Sequence, residues 1–172
     1  SLPSGLSFDV TNGTITGSPT TTSSAANYTI TGNNYYGSSS TNLNITIANL
    51  PTITTDAVTS IASSTAVSGG NVTNNGGISL TEKGICWSTT ANPTINDNKA
   101  SVGTGTGSFS STINSLSQGT TINFRAFATN SAGTSYGTNS TFTTLSALSA
   151  TQSQTNVSCN GGSNGSATVS AT

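Results

Sequence analysis

The sequence contains no histidine and very little charge of either sign. Only 4% of its residues are charged, with 3 Lys plus Arg against 4 Asp plus Glu, and the formal net charge is -1. General acid-base catalysis needs a titratable side chain of suitable pKa, which leaves only Asp9, Asp56, Glu82 and Asp97 as carboxyl candidates. These four are scattered singly, without the spacing of a catalytic carboxylate pair. The sequence therefore predicts a protein that is not an enzyme.

The same scarcity of charge excludes several classes of partner. Nucleic-acid binding demands clustered Lys and Arg, and three cations cannot form such a cluster. Calcium needs about six to eight oxygen ligands, several of them carboxylates, which solitary Asp residues cannot supply. No stretch approaches the roughly 18 consecutive apolar residues of a membrane span. We therefore expect no cofactor or metal, no nucleic-acid partner and no membrane insertion in this segment.

What the chain does contain is Ser, Thr, Asn and Gly, which together make up roughly three-fifths of the residues. So polar a composition would suggest disorder if apolar residues did not recur at every second position. Thr is β-branched and suits a pleated surface, while Asn, Gly and Ser supply turns. The composition and the alternation together predict an all-β fold.

The first unit of the chain contains two segments in which apolar and polar residues alternate. The segments "NYTITG" and "LNITIA" predict a pair of half-buried strands, each with its apolar side chains on one face. Upstream, the Asn12-Gly13 pair favours a hairpin turn. The apolar side chains of the two predicted strands are Tyr28, Ile30, Leu43, Ile45 and Ile47.

Between these strands, "GNNYYGSSST" is predicted to be a turn-rich connector, and it carries Tyr35 and Tyr36. Adjacent side chains in an extended segment point opposite ways, so at least one of these rings is expected to face solvent. Exposed rings can stack on sugars or contact partner proteins, whereas other tyrosines of this kind merely cover the end of a sandwich. Tyr35 and Tyr36 are the possible ligand-contact residues, and no catalytic, cofactor-binding or metal-binding residue is predicted.

The start of the chain carries a longer motif. The segment "LPSGLSFDVTNGTITGSPT" resembles the "LPxGLxxDxxTGxIxGxPT" signature of bacterial immunoglobulin-like domains of cell-surface proteins. The resemblance implies that residues 1–48 are the C-terminal part of an Ig-like module whose earlier strands precede residue 1. The matching positions are Leu2, Pro3, Gly5, Leu6, Asp9, Gly13, Ile15, Gly17 and Pro19.

A second unit is predicted over residues 49–144, with Pro51 marking its boundary. Its length is close to the roughly 100 residues of one β-sandwich. "GTGTG" at 103–107 is expected to be a turn, because no helix follows it to form a phosphate site. The predicted strands are 53–55, 65–72, 84–88, 108–113, 122–129 and 138–143.

Two segments of this unit resemble fibronectin type III-like domains. "INSLSQGTTINFRAFATNSAGTSYG" is similar to the "LxPGTxYxxRAxAxNxxGxxxG" end of such domains, and "GGNVTNNGGISLTEKGICWSTTANPTI" resembles a variant common in surface proteins of Bacteroidota. The resemblance implies that Leu116 anchors the turn before a strand on which Arg125 and Phe127 point outward. The core-facing residues of that strand would be Ile122, Phe124, Ala126 and Ala128.

Residues 145–172 form the third predicted unit. Its segment "VSCNGGSNGSATVSAT", beginning at Val157, resembles the opening "VSCxGGxxGSATVxAxGG" of the SprB-type repeat, named after a large mobile adhesin of gliding bacteria. That repeat carries a later cysteine, so the resemblance implies that Cys159 forms a disulfide with a residue outside the chain. The unit would then be the N-terminal part of a SprB-type module.

The other cysteine, Cys86, admits three interpretations. A bridge to Cys159 would need α-carbons within about 7 Å, although the two residues lie in different predicted modules. A nucleophilic role is disfavoured because no histidine could activate the thiol. The simplest interpretation is a small buried residue in a strand, beside a Trp87 that shares a core face with Ile85.

The alternation predicts β-sandwich modules, and the resemblances imply that they are tandem Ig-like and fibronectin type III-like modules of an extracellular, cell-surface protein. The expected function is a non-enzymatic stalk segment of a large bacterial adhesin that presents a distal region for attachment or gliding. The SprB-type resemblance further implies export by the type IX pathway of Bacteroidota. Expected partners are neighbouring modules of the same polypeptide, surface glycans or other cell-surface proteins. The alternative is a spacer or carbohydrate-binding accessory region of a secreted polysaccharide-degrading enzyme.

Overall fold

The structure, a computed structural model, describes residues 1–156 and 158–171, so that Val157 of the third motif and Thr172 lie outside it. Every regular element of the described residues is a β-strand, and no helix there could span a membrane. The predicted all-β class is confirmed. The strands are β1 (Leu6–Asp9), β2 (Thr14–Gly17), β3 (Ser23–Asn34), β4 (Gly37–Ile47), β5 (Thr52–Thr55), β6 (Ala66–Asn74), β7 (Glu82–Ser88), β8 (Asn98–Gly103), β9 (Gly107–Ile113), β10 (Thr121–Asn130), β11 (Gly133–Tyr136), β12 (Ser140–Thr143), β13 (Ala150–Thr155) and β14 (Ser166–Ala171).

The first unit consists of two antiparallel hairpins, β1–β2 and β3–β4. As predicted, the Asn12-Gly13 pair forms the first turn, where Gly13 adopts a φ of 74° and Asn12 Oδ1 accepts a hydrogen bond from the Thr14 amide at 3.0 Å. The second hairpin is longer than predicted. Its ladder runs to the Asn34–Gly37 pair, so the expected ten-residue connector is strand except for a two-residue turn.

The middle unit is a two-layer sandwich. One sheet has the order β5-β6-β9, and the other has the order β11-β10-β7-β8 with β12 also paired to β10. Alternate side chains of both sheets meet between the layers, and each fully buried large apolar side chain stabilises the fold by about 1.5–3 kcal/mol. The buried core comprises Ile53, Ala66, Val72, Leu80, Ile85, Trp87, Ile113, Leu116, Ile122, Phe124, Ala126, Ala128 and Phe142.

The six strands predicted for this unit are present as β5, β6, β7, β9, β10 and β12, with bounds that differ by up to two residues. Two further strands, β8 and β11, were not predicted. In β8 only Ala100 is even half-buried, and Val102, two residues further on, is exposed. All four residues of β11 are half-buried. The segment "GTGTG" connects β8 to β9, as expected of a turn.

Phe127 lies on the outer face of β10, opposite the core, as the fibronectin type III-like resemblance implied. It is nevertheless fully buried. The segment 89–97 folds over this face. Arg125 Nε donates to the Pro93 carbonyl oxygen at 2.6 Å, and the Ile95 amide donates to Tyr136 Oη at 3.1 Å. The outer face of the larger sheet therefore has a second, smaller buried layer.

The third unit is a single hairpin, β13–β14, paired from Ala150–Ala171 to Thr155–Ser166. Its loop is tied across by Asn164, whose Oδ1 accepts from the Ser158 amide at 3.1 Å and whose Nδ2 donates to Ser158 Oγ at 3.0 Å. All residues of β13 are exposed, and so is Val169 of β14. This hairpin therefore contributes no buried core of its own within the described residues.

Candidate functional sites at the sandwich poles and the tyrosine tip

Three of the four carboxyl groups, those of Asp9, Glu82 and Asp97, accept hydrogen bonds from nearby residues and so serve local structure. Hydrogen bonds from Thr11 hold the pKa of Asp9 below its usual value. Hydrogen bonds from Lys99 and Ser101 lower the pKa of Glu82, whose Oε1 lies 2.8 Å from Lys99 Nζ. Asp97 Oδ2 accepts from the Thr94 amide at 2.7 Å. Within residues 1–156 and 158–171, no three His, Cys, Asp or Glu side chains group to hold a metal ion.

The chain enters the sandwich at one end, here named the upstream pole, formed by residues 74–77 and 130–133. Asn130 is 3% exposed, and its Nδ2 donates both to the Asn49 carbonyl oxygen at 2.7 Å and to the Asn75 carbonyl oxygen at 2.9 Å. The Asn49 amide in turn donates to the Gly76 carbonyl oxygen at 2.8 Å. One buried amide side chain therefore joins the incoming linker to the body of the sandwich.

Close packing adds to this attachment. Gly77 adopts a φ of 86°, and a methyl group at its α-carbon would lie 2.6 Å from Thr22 Cβ of the first unit. At the other loop of the pole, a methyl group on Gly133 would lie 3.0 Å from Leu50 Cδ2. The glycines allow the first unit and the linker to approach the sandwich more closely than any other residue would permit.

The chain leaves at the opposite end, the downstream pole, formed by residues 62–64 and 115–120. Thr144 is 3% exposed; its amide donates to the Thr120 carbonyl oxygen at 3.0 Å, and its Oγ1 donates to the Ser117 carbonyl oxygen at 2.6 Å. The Leu145 amide donates to the Ala62 carbonyl oxygen at 3.1 Å. The outgoing linker is therefore also held by hydrogen bonds.

The two poles lie at the two ends of β10. Asn130 ends the strand at the upstream pole, while Thr121 begins it beside Thr120 at the downstream pole. A strand of ten residues at about 3.3 Å per residue spans roughly 30 Å. The linkers therefore attach at opposite ends of the middle sandwich, about one strand length apart.

Tyr35 and Tyr36 form the turn of the long β3–β4 hairpin, here named the tyrosine tip. They are 95% and 92% exposed, and their ring centroids lie 5.3 Å apart with the planes at 89°. Neither ring covers the end of a sandwich, which was the alternative left open by the sequence. Beside them is an open cleft of about 560 Å³ lined by Gly32, Asn33, Asn34, Tyr36, Gly37, Ser38 and Ser39.

Both cysteines are free within the described residues. Cys86 is fully buried, as the simplest interpretation required, and its Sγ lies 3.3 Å from the Pro93 carbonyl oxygen. Burial raises the pKa of its thiol to about 11, so that it is a poor nucleophile. Cys159 is exposed on the loop of the third unit. Its predicted disulfide to a residue outside the chain stays a prediction.

Sequence reasoning did not single out Asn130, although a signal was present. Asn130 is the asparagine of the "RAxAxNxxG" part of the fibronectin type III-like motif. An amide at a strand end, two residues before an Ala-Gly turn, is a candidate for satisfying backbone groups of neighbouring loops. Asn130 Oδ1 does so within its own turn by accepting from the Ala132 amide at 2.8 Å.

Comparison with known proteins finds a family match over the first unit and a similarity of fold over 70% of the chain. Residues 1–49 match the family model described as "Putative Ig domain" (He_PIG). No curated protein matches the chain. Among solved structures, domains A168–A170 of titin are 19% identical with a TM-score of 0.51, over 70% of this chain and 41% of that one.

Two further solved structures are similar. The sensor domain of the anti-sigma factor RsgI4 of Pseudobacteroides cellulosolvens is 18% identical with a TM-score of 0.42, over 58% of this chain and 98% of that one. A fibronectin type III domain of the human KIAA0970 protein is 18% identical with a TM-score of 0.40, over 55% and 73% of the two chains. The titin likeness, with the observed sheets, supports the predicted Ig-like and fibronectin type III-like sandwich class.

Proposed function

We propose that this chain is a non-enzymatic spacer segment of a bacterial cell-surface or secreted adhesin, which holds a distal binding region away from the cell. The observation that supports this most is the attachment of the two linkers at opposite poles of the middle sandwich. A module whose termini lie at opposite ends adds its full length to the stalk. Hydrogen bonds hold both linkers, from Asn130 Nδ2 to the Asn49 carbonyl oxygen and from the Leu145 amide to the Ala62 carbonyl oxygen, and we expect them to restrict bending at the joints.

The organism group, the export pathway and the role in attachment or gliding are proposed from sequence resemblance. The fibronectin type III-like variant and the SprB-type opening favour a Bacteroidota surface protein exported by the type IX pathway, with a role in attachment or gliding. Neighbouring modules of the same polypeptide are the proposed partners. The match of residues 1–49 to an Ig-like family model supports an extracellular module, without specifying an adhesin.

Replacing residues 49–144 in the parent protein tests the spacer role. A Gly/Ser linker with the same number of residues would collapse to a flexible coil. We expect surface display to persist, while attachment of cells to a solid support falls several-fold. An unrelated β-sandwich with termini at opposite poles should restore attachment. Unchanged attachment with the Gly/Ser linker would refute the spacer role.

The alternative, an accessory region of a secreted polysaccharide-degrading enzyme, is favoured by one observation, the exposed aromatic tip. It predicts that the parent protein releases reducing sugar from a polysaccharide. Measuring this release with the full-length parent protein separates the two proposals, because a spacer in an adhesin requires no such activity.

A further inference from the structure

We propose that the tyrosine tip is a binding site for a neutral glycan, with Tyr35 and Tyr36 stacking on sugar rings and neighbouring amides and hydroxyls binding their hydroxyl groups. The site is separate from the spacer role, which depends on the sandwich poles. Glycan binding by the tip can be measured without the spacer role, so either proposal can fail without the other.

Both rings of the tyrosine tip are exposed to solvent. Two tyrosine rings at 95% and 92% exposure leave large apolar faces in water, and they contact each other edge to face rather than packing on the body of the unit. Tyrosine combines an apolar ring with a polar hydroxyl and loses little conformational entropy on binding, which makes it frequent in recognition surfaces. A pair of such rings at one point provides a stacking surface with an adjacent hydrogen-bonding group.

The turn itself does not require tyrosine. Two-residue hairpin turns are formed most readily by Asn-Gly or Asp-Gly pairs. Here the backbone is ordered by its neighbours instead, because Asn34 Oδ1 accepts from the Tyr36 amide at 2.8 Å and Gly37 takes the unusual φ of 148°. Folding therefore gives no reason for two aromatic residues at this turn, and binding does.

The side chains around the tip favour a neutral ligand. No charged residue occurs between Asp9 and Asp56, so nothing on the hairpin would attract a phosphate or an acidic polymer. The cleft beside the rings presents Asn33, Asn34, Ser38 and Ser39, whose amides and hydroxyls can both donate and accept. A neutral, polyhydroxylated ligand matches this combination of aromatic, amide and hydroxyl groups.

The tip and the joint with the middle sandwich lie at opposite ends of the hairpin. The open end of the hairpin, at the Ser23–Ile47 pair, adjoins Thr22, which packs against Gly77 of the middle sandwich. The tip lies at the other end of β3, which has 12 residues and so spans about 40 Å. The rings are therefore displayed far from the joint, where an extended polysaccharide can reach them.

Affinity electrophoresis of the 172-residue chain tests the inference. The gels would contain galactomannan, xyloglucan or hydroxyethylcellulose as neutral probes, and polygalacturonate as an acidic one. We expect at least one neutral polymer to retard the chain. We expect polygalacturonate to cause no specific retardation. Substitution Y35A/Y36A should weaken that retardation about tenfold or more, the change produced by losing about 1.4 kcal/mol.

Two variants complete the design. Y35F/Y36F keeps both rings and should retain most of the retardation. L148A removes a side chain that is 80% exposed at a different site and should behave as the unmodified chain. Because all these side chains are exposed, thermal unfolding should be unchanged. Three results would each overturn the proposal. They are no retardation in any neutral gel, retardation of Y35A/Y36A equal to that of the unmodified chain, and retardation by polygalacturonate alone.

Discussion

Asn130 carries the most specific role of any single residue at the joint. Its two donors satisfy the carbonyl groups of Asn49 and Asn75, one in the linker and one in the sandwich. Asn130→Asp keeps the shape but places a carboxylate at a buried side-chain position, so that the carbonyl oxygens of Asn49 and Asn75 lose their donor and meet a buried negative charge. We expect a loss of about 2 kcal/mol or more in the free energy of unfolding, measured with urea.

The same substitution should loosen the linker as well as the sandwich. We expect ¹⁵N relaxation of residues 23–47 to report faster, more independent tumbling in Asn130→Asp than in the unmodified chain. Asn114→Asp, at an exposed position after β9, is the matched control and should change neither measurement. If relaxation of residues 23–47 stays the same in Asn130→Asp, the hydrogen bonds of Asn130 do not restrain the joint.

Cys86 gives a pH dependence with a defined sign. Burial raises the pKa of its thiol from 9.0 to about 11, so the folded chain keeps a proton that the unfolded chain loses. The stability contributed by the neutral thiol is therefore complete below about pH 9 and is lost as the pH rises toward about 11. We expect Cys86→Ala to show a shallower loss of unfolding free energy than the unmodified chain over this range. Cys159→Ala should match the unmodified chain, and equal slopes for Cys86→Ala and Cys159→Ala would contradict the assignment.

Between elements, Arg125 attaches the segment 89–97 to the larger sheet. Its guanidinium donates to the carbonyl oxygens of Pro93 and Asn92 and lies 4.0 Å from the centroid of the Tyr136 ring. Lysine cannot reproduce this planar arrangement of donors and stacking. We expect Arg125→Lys to lower the free energy of unfolding by about 1–3 kcal/mol in urea titrations.

Lys99→Ala is the matched control, because it removes another cation of the same sheet. Lys99 pairs with Glu82 at a partly exposed position, with side-chain exposures of 35% and 28%, so the cost should be about 0–1 kcal/mol. An equal or larger cost for Lys99→Ala than for Arg125→Lys would show that the segment is not held mainly by Arg125.

How far the elements could be predicted follows from where their side chains are buried. Strands β7 and β10 alternate clearly, and Ile85, Trp87, Phe124 and Ala126 lie in the core as expected. Strand β8 could not be predicted from the sequence. It is held to β7 by backbone hydrogen bonds, and only Ala100 packs inward. The burial of Phe127 depends on the segment 89–97, whose Asn, Pro and Thr content is typical of exposed turns.

The tyrosine tip and the poles also differ in how far they could be predicted from the sequence. The sequence indicated the tyrosine tip, because two adjacent aromatic residues between Asn and Gly residues are visible without knowledge of the fold. It did not indicate the poles, because Asn49, Asn75 and Asn130 are far apart in sequence and meet only when the sandwich forms. Long-range hydrogen bonds between single polar residues leave no periodic pattern from which they could be predicted.

For the whole molecule, the important property is the direction in which tension crosses the middle sandwich. Strand β5 begins at the upstream pole and pairs with β6, while β12 ends at the downstream pole and pairs with β10. Both strands run along the line between the poles. Tension applied through the linkers therefore acts along the strands, and the hydrogen bonds of both ladders must break together rather than one after another.

Single-molecule force spectroscopy can test this arrangement. Handles at residues 50 and 145 load β5 and β12 in shear, whereas handles at residues 75 and 131 pull two loops of the upstream pole apart and open the sheets from one end. With Cys86 and Cys159 replaced in both cases, we expect the first geometry to unfold at a force severalfold higher than the second. A protein that functions under tension between its neighbours requires this difference, because its resistance must lie along the axis of the stalk. Equal unfolding forces in the two geometries would mean that the poles do not define a mechanical axis.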